Sequence, residues 1–366
     1  MRNHSIPVVG AMLLLAGALA LAGCASGPAN SNGSTQGENG AEATQPEGSA
    51  ESAASSQRGA AASGQTAEKD VADSAPVGPV TFTDDSGADV TVENPQRVVA
   101  CMGSFASIWE LAGGTLVGAS DDAFTLSDYD LVSQDVQKVG DFSSLNLEAI
   151  LALGPDFVIM TSGTGGRGGD SSQTELKEAL TASGIPTAYF QVTTFDDYLR
   201  MLRICCDITG RDDLYQANGQ ATADRIETIV QKVPAAAADD ALTALVLTTY
   251  SGGTRVQASS TMTGAMLSDL GVRNLVDDNP SMLKDFSLES IIELDPDYIF
   301  VIPMGDDEEA ARKALEDQTA DNPAWAALSA VQNGNYVVLD PHLFQYKPNN
   351  HWDESYQVLF DTIYGK

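Results

Sequence analysis

From about residue 79 onward two patterns of apolar positions take turns along the chain. Short runs in which apolar residues cluster or alternate ("RVVACM", "TLVGAS", "DFVIMTS", "PTAYFQV", then "ALVLTTY", "DYIFVIP" and "NYVVLD") predict buried strands. Between them, apolar residues fall three and four apart in "SFASIWELAG", "NLEAILALG", "TELKEALTASG", "TMTGAMLSDLG", "LESIIELD" and "DEEAARKALED" with "NPAWAAL", which predicts helices. "NLVDD" reads as one more short strand, and "GPVTFTDDSGADVTV" as a hairpin turning on Asp-Asp-Ser-Gly. Strands alternating with helices predict parallel sheets with helices on their faces.

The pattern occurs twice. "LEAILALGPDFVI" from Leu147 returns 141 residues later as "LESIIELDPDYIF" from Leu288, and "LAGGTLVG" from Leu111 pairs with "LGVRNLVD" from Leu270. The second offset is 159, so the first half carries 18 additional residues, which fall in the loop-like "DDAFTLSDYDLVSQDVQ". Between the halves, Thr194 to Val233 has no proline and mostly good helix formers. It predicts a helix, a break near Thr209-Gly210, and a second helix of about 20 residues, which would span about 30 Å. The expected fold is α/β: two Rossmann-like lobes with central parallel sheets, joined by a long spanning helix, with a ligand cleft between them.

What precedes the first hairpin is of another kind. Residues 1–23 combine Arg2, an apolar run from about Ile6 to Leu21 and small residues before Cys24, the pattern of an export signal. "LAGC" resembles the lipobox of bacterial lipoproteins, which implies cleavage before Cys24 and lipidation of that residue. Residues 24–78 are Ser, Gly, Ala, Glu and Gln with almost no branched or aromatic residue, too little apolar surface to offset chain entropy, and read as a disordered tether. The remaining division is an N-terminal lobe over 79–205, an inter-lobe helix over 206–238 and a C-terminal lobe over 239–366. Cys101, Cys205 and Cys206 read as buried small hydrophobes, with a bridge from Cys101 to one of the other two left open.

The formal net charge of −32, from 51 acidic against 19 basic residues, argues against a nucleic-acid partner, whose phosphates must be met by Lys and Arg. The chain contains no GxSxG, HExxH or P-loop pattern, and its three histidines are His4, His342 and His351. No catalytic residue is expected and no bond is expected to be made or broken. "SGTGGRGG" from Ser162 to Gly169 follows a strand and reads either as a phosphate loop lacking its Lys-Ser/Thr ending or as a cleft-edge loop carrying Arg167. Glu148 and Glu289, equivalent in the repeat, fall in the first turn of a helix, where a carboxylate complements the dipole. On two related lobes they would also offer a partner two matching acidic points.

"RVVACMGSFASIWELAGG", "VGDFSSLNLEAILALGPDFVI", the spanning helix and the terminal "NYVVLD" with "WDESYQVLFDTIYG" together resemble the substrate-binding proteins of bacterial ABC importers for iron–siderophores, haem and cobalamin, over about Pro79 to Lys366. The resemblance implies that Glu148 and Glu289 dock onto arginines of a permease dimer that works with an ATPase. It implies a monomer held at the extracytoplasmic face of the cell membrane through its lipid anchor alone. It places ligand contacts on loops after the strands: Met102, Ser104, Phe105, Phe142, Ser162, Arg167, Tyr250, Arg255, Ser259, Met262, Met304, Phe344, Tyr346 and Lys347. The aromatic members can stack on a flat ligand, and Arg167, Arg255 and Lys347 can meet carboxylate or catecholate oxygens. Haem would want an axial Met, His or Tyr, for which Met102, Met262, Met304, His342, His351 and Tyr346 are available. Free zinc or manganese would want several His or carboxylate ligands, so no protein-held metal is expected. A siderophore brings its iron already chelated, which makes a ferric siderophore the first expectation, haem or cobalamin the second, and a tethered cleft enzyme or a scaffold the readings from other classes.

Overall fold

The computed structural model describes residues 78–125, 129, 131–162, 169–235, 241–250, 253–283, 287–305 and 308–365. All belong to the second of the two units into which the chain divides, Asp70–Lys366. The export signal, Cys24, the tether and Arg167 lie outside the described residues.

Two sheets carry the two halves. In the first, β3 (Val98–Ala100) is flanked on one side by β4 (Leu116–Ala119) and then β5 (Gln137–Lys138), and on the other by β6 (Phe157–Thr161) and then β7 (Thr187–Phe190), all parallel. This is the doubly-wound order, whose direction of winding reverses between β3 and β6, and ligands of such sheets bind at the carboxyl ends there. In the second, β8 (Thr243–Tyr250) pairs in parallel with β10 (Arg273–Asn274) and with β11 (Tyr298–Pro303), which pairs in turn with β12 (Tyr336–Val338). The two sheets therefore repeat one plan, as the sequence repeat predicts.

Two segments differ from expectation. Tyr250 to Arg255 is not a strand-end loop: β9 (Gly253–Gln257) turns back antiparallel on β8, with Thr248 opposite Arg255 and Tyr250 opposite Gly253. It stands at the edge of the sheet, with Val256 turned inward and Arg255 outward. "NLVDD" is strand only at Arg273–Asn274; the Asn274 side chain accepts from the Val276 N–H and starts a helical turn that buries Leu275 and Val276.

The repeated motif has a structural cause. Ile150 and Ile291 are each fully buried under their sheets. Asp156 accepts the Gln96 and Arg97 N–H groups, both at 2.8 Å, while Asp297 accepts the Thr243 N–H and hydroxyl at 2.8 and 2.7 Å. In each half the same Asp thus fixes where the central strand begins.

Helix Phe195–Thr209 starts with a capping box between Thr194 and Asp197 and ends at Gly210, whose φ of 70° permits the left-handed turn. Helices Asp212–Tyr215 and Ala221–Val230 follow, joined through a π turn at Gln216–Gln220. The Asn218 carbonyl in that turn receives the Tyr198 hydroxyl at 2.9 Å, and the Asn218 amide donates to Leu111 O at 2.8 Å. Further on, Thr222 donates to Asn350 O and Arg225 pairs with Asp353. The spanning helix therefore holds helix Gly103–Leu111 of one half and helix Trp352–Tyr364 of the other. A single apolar core runs through this junction, from Val98, Phe105 and Phe190 through Met201 and Leu202 to Val246, Phe300 and Trp352. The opposite face of each sheet has a smaller core of its own.

Cys101, Cys205 and Cys206 are buried free thiols, which answers the open question of a bridge. Burial pushes the Cys101 thiol up to about 12, so it is inert as a nucleophile.

Replacing Asp156 or Asp297 by Ala strands backbone donors at the start of a central strand. Each change is expected to lower unfolding free energy by about 1–3 kcal/mol, read from the midpoint of urea denaturation.

Candidate functional site

The carboxyl ends of the first sheet open onto a cleft of about 780 Å³, within the range of small-molecule sites. The first half supplies Phe105, Thr161 after β6, and the run Gln191 to Thr194 with Asp197 after β7. The second supplies Gln257, Ser260 and Thr261 at the start of helix Met262–Asp269, and Lys347 comes from near the carboxyl end of the chain.

The N-terminal hairpin, β1 (Val80–Thr83) with β2 (Asp89–Val92), completes the wall. Its turn is pinned to the exposed edge of β7: Asp84 accepts the Tyr189 N–H at 3.0 Å, and the Asp85 N–H donates to Tyr189 O at 2.9 Å. Asp85 also accepts the Gln191 N–H at 2.6 Å and the Arg200 guanidinium at 2.7 Å, and so faces the cleft with its charge already matched. Covering β7 in this way also protects an edge that would otherwise pair with another chain. Asp197 is engaged likewise, its Oδ2 accepting the Thr193 and Thr194 N–H groups at 3.0 and 2.9 Å.

Lys347 is half-buried in the wall, and burial lowers its ammonium from the ordinary lysine range, an effect opposed by attraction to Asp122. Asp122 is pushed up, by burial first, although it accepts the Gly103 N–H at 2.8 Å. The segment carrying Lys347 is fastened across the molecule: Tyr129 donates to Lys347 O at 3.2 Å, and the Asn349 amide to Ser104 O at 3.1 Å. Asn349 holds a φ of 50°, a conformation Asn tolerates better than most residues. On the inner side, fully buried Gln173 accepts the Thr161 N–H at 2.9 Å and donates to Cys101 O and Phe142 O at 3.2 and 3.1 Å. It ties the ends of β3 and β6 to the loop beyond β5.

Of the ligand contacts expected from sequence, the structure brings Phe105 and Lys347 into this cleft. Phe105 does so while fully buried and packed at a near-right angle against Phe190, centroids 6.4 Å apart. Met102 and Met262 stand at the starts of their helices, packed on the shared core. Ser104 and Phe344 are buried, at 1% and 3% exposure, and Phe344 is core. Ser162 is half-buried with its N–H on Phe190 O, Ser259 donates its N–H to Asp277, and Met304 donates its N–H to Thr249 O. Phe142 is 38% exposed. Arg255 is exposed with its guanidinium 5.2 Å from the Tyr250 ring, and Tyr346 packs on His342. Glu148 and Glu289 are both exposed, each in the first turn of a helix capped by Asn146 or Ser287. Glu289 is held below the usual carboxylate range by its own backbone N–H and the Ser287 hydroxyl.

The expected contact loop from Ser259 to Met262 enters the cleft through Ser260 and Thr261, while the sequence reading missed Asp85, Thr161, Gln191 to Thr194, Asp197 and Gln257. The signal for half of them was legible, since Thr194-x-x-Asp197 is a capping pattern directly after a strand and so marks a helix starting at a strand's carboxyl end.

Two halves meeting at a cleft of this size and lining offer a site for a small molecule. The chain belongs to the periplasmic binding protein family, whose profile matches residues 98–343. The family consists of substrate-binding transport proteins. The chain is 24% identical over 260 residues to the Fe(3+)-citrate-binding protein YfmC of Bacillus subtilis, covering 70% of this chain and 77% of that one. It is 25% identical over 235 residues to the high-affinity heme uptake system protein IsdE of Staphylococcus aureus, covering 63% and 75%. Among solved structures, it shares its fold with Staphylococcus aureus SirA complexed with staphyloferrin B, at a TM-score of 0.58 and 21% identity over 78% of this chain and 97% of the other.

Because the Lys347 ammonium is less stable folded than unfolded, it opposes folding below its lowered pKa, and the penalty fades as pH rises through that value. Lys347→Met is expected to raise the melting temperature by a few degrees at pH 7. The gain should shrink toward the ordinary lysine range, near pH ~10, as followed by thermal melts at both pH values.

Proposed function

We propose that this protein captures a ferric chelate outside the cell and delivers it to an ABC permease. The observation that carries the reading is the cleft itself, polar, of chelate size, and walled by both halves of a fold whose family carries substrates. The named cargo of relatives, iron citrate and heme, supports iron in chelated form. In this reading no catalytic step occurs, and haem or a corrinoid is the second cargo class.

Residues 1–23 are the export signal, Cys24 carries the lipid, and 24–78 let the folded part stand off the membrane. The lobes are assigned to 79–205 and 239–366 with the inter-lobe helix between, acting as a monomer. Glu148 and Glu289 are the docking points. Their equivalent places in the repeat, their exposure and the structural duties already met by Ile150, Ile291, Asp156 and Asp297 support this.

All three tryptophans are buried, at 1%, 7% and 0% exposure for Trp109, Trp325 and Trp352, so calorimetric titration is the direct test of binding. Saturable binding of a ferric chelate is expected, and heat from none of a panel of chelates would refute the reading. The double change Glu148→Lys with Glu289→Lys should reduce uptake into cells at least about tenfold while affinity in solution stays within about twofold, since charge reversal at a rim acts on docking. Cys24→Ala is expected to release the protein from the membrane fraction, scored by immunoblot of pelleted and soluble material.

A further inference from the structure

We infer that the cleft selects a hydrophilic ferric chelate of neutral or positive charge, of the hydroxamate type, over haem and over polyanionic carboxylate or catecholate chelates. The inference rests on the proposed function and names the class of its cargo. Three observations point the same way.

The first is the charge of the wall. Among the described lining residues Lys347 is the only cation, and its ammonium is already attracted to Asp122. Asp85 and Asp197 bring two negative charges to the same wall, the first matched by Arg200. An anion with several charges would find one shared ammonium among the described lining residues, a poor exchange for the hydration it gives up.

The second is the helix that begins at the cleft. The N-terminus of Phe195–Thr209 is the kind of place where an anionic oxygen binds. Here the chain's own Asp197 occupies it, accepting the Thr193 and Thr194 N–H groups. The opposite wall differs: Thr261 at the start of Met262–Asp269 makes no side-chain cap and turns its hydroxyl to Ala258 O instead. With its proton given to Ala258 O, the Thr261 hydroxyl has only lone pairs left to offer, which suit a donor or a cation better than an anion.

The third is the surface chemistry and the distant field. Hydroxyl and amide side chains, such as Gln191, Thr193, Gln257 and Ser260, dominate the lining, and no Met, His, Tyr or Cys occurs among the described lining residues to ligate a haem iron. Residues 1–77 hold only 7 of the 51 acidic and 3 of the 19 basic residues, so the acidic excess belongs to the folded part. Its field draws cations toward the cleft and repels polyanions.

The test is calorimetric titration of the protein with four probes: ferrioxamine B, a cationic trihydroxamate; ferric enterobactin, a tris-catecholate trianion; ferric citrate; and haemin. Ferrioxamine B is expected to bind at least about tenfold more tightly than the other three, and its affinity should fall as sodium chloride is raised. Lys347→Gln should tighten ferrioxamine B two- to fourfold, roughly the Coulomb effect of removing one like charge at about 10 Å in a wet cleft. Tighter binding of citrate, the catecholate or haemin, or a loss of ferrioxamine B binding in Lys347→Gln, overturns the inference and leaves the chelate carrier standing. Silence from all four probes overturns both.

Discussion

Everything in this molecule depends on one stretch of apolar contact, the core that passes without a break from the first sheet, across helix Phe195–Thr209, into the second sheet and helix Trp352–Tyr364. Two lobes that merely touched would tumble on their linker. Here Tyr198, Met201, Leu202 and Cys205 are buried between them, so a change in lobe separation must shear packed side chains rather than bend a loop. Any change in the width of the cleft must work against that packing.

On that frame the cleft is built with polar groups that are mostly spoken for. Asp85 and Asp197 hold backbone N–H groups of the strand end and helix start that shape the wall, so their charge is structural before it is functional. Gln173, fully buried, does the same from behind. Lys347 is the exception, a half-buried ammonium attracted to Asp122 but, among the described residues, held in no ion pair. Its energy is the one most exposed to the charge of whatever enters.

How much of this the sequence disclosed varies with the range of the interaction. Apart from β5, whose Gln137 ends a stretch read as a loop, the parallel strands of both sheets, the spanning helix and its break at Gly210 follow from local pattern, and the repeat revealed the two-lobed plan. The antiparallel β9 stayed hidden because its turn and its alternation fall in a short Gly- and Thr-rich segment resembling a loop. The site was harder. Phe105 and Lys347 were found by their position after a strand or near the carboxyl end, whereas Asp85 reaches the cleft only because its hairpin lies along β7, a contact across about a hundred residues that no local pattern encodes. The reverse error has the same root: Phe344 has the look of a ligand-stacking ring and is drawn into the core by neighbours remote in sequence.

The placement of the N-terminal hairpin has a temporal side. One wall of the cleft comes from residue 85, near the start of the folded chain, and another from residue 347, near its end. A chain made from its amino end presents Asp85 early, but the edge it binds, at Tyr189 and Gln191, arrives about a hundred residues later and Lys347 last of all. No partly made chain can own a finished cleft. The site therefore exists only once both ends of the folded part have met, so a truncated or half-folded chain has no place to hold a small molecule.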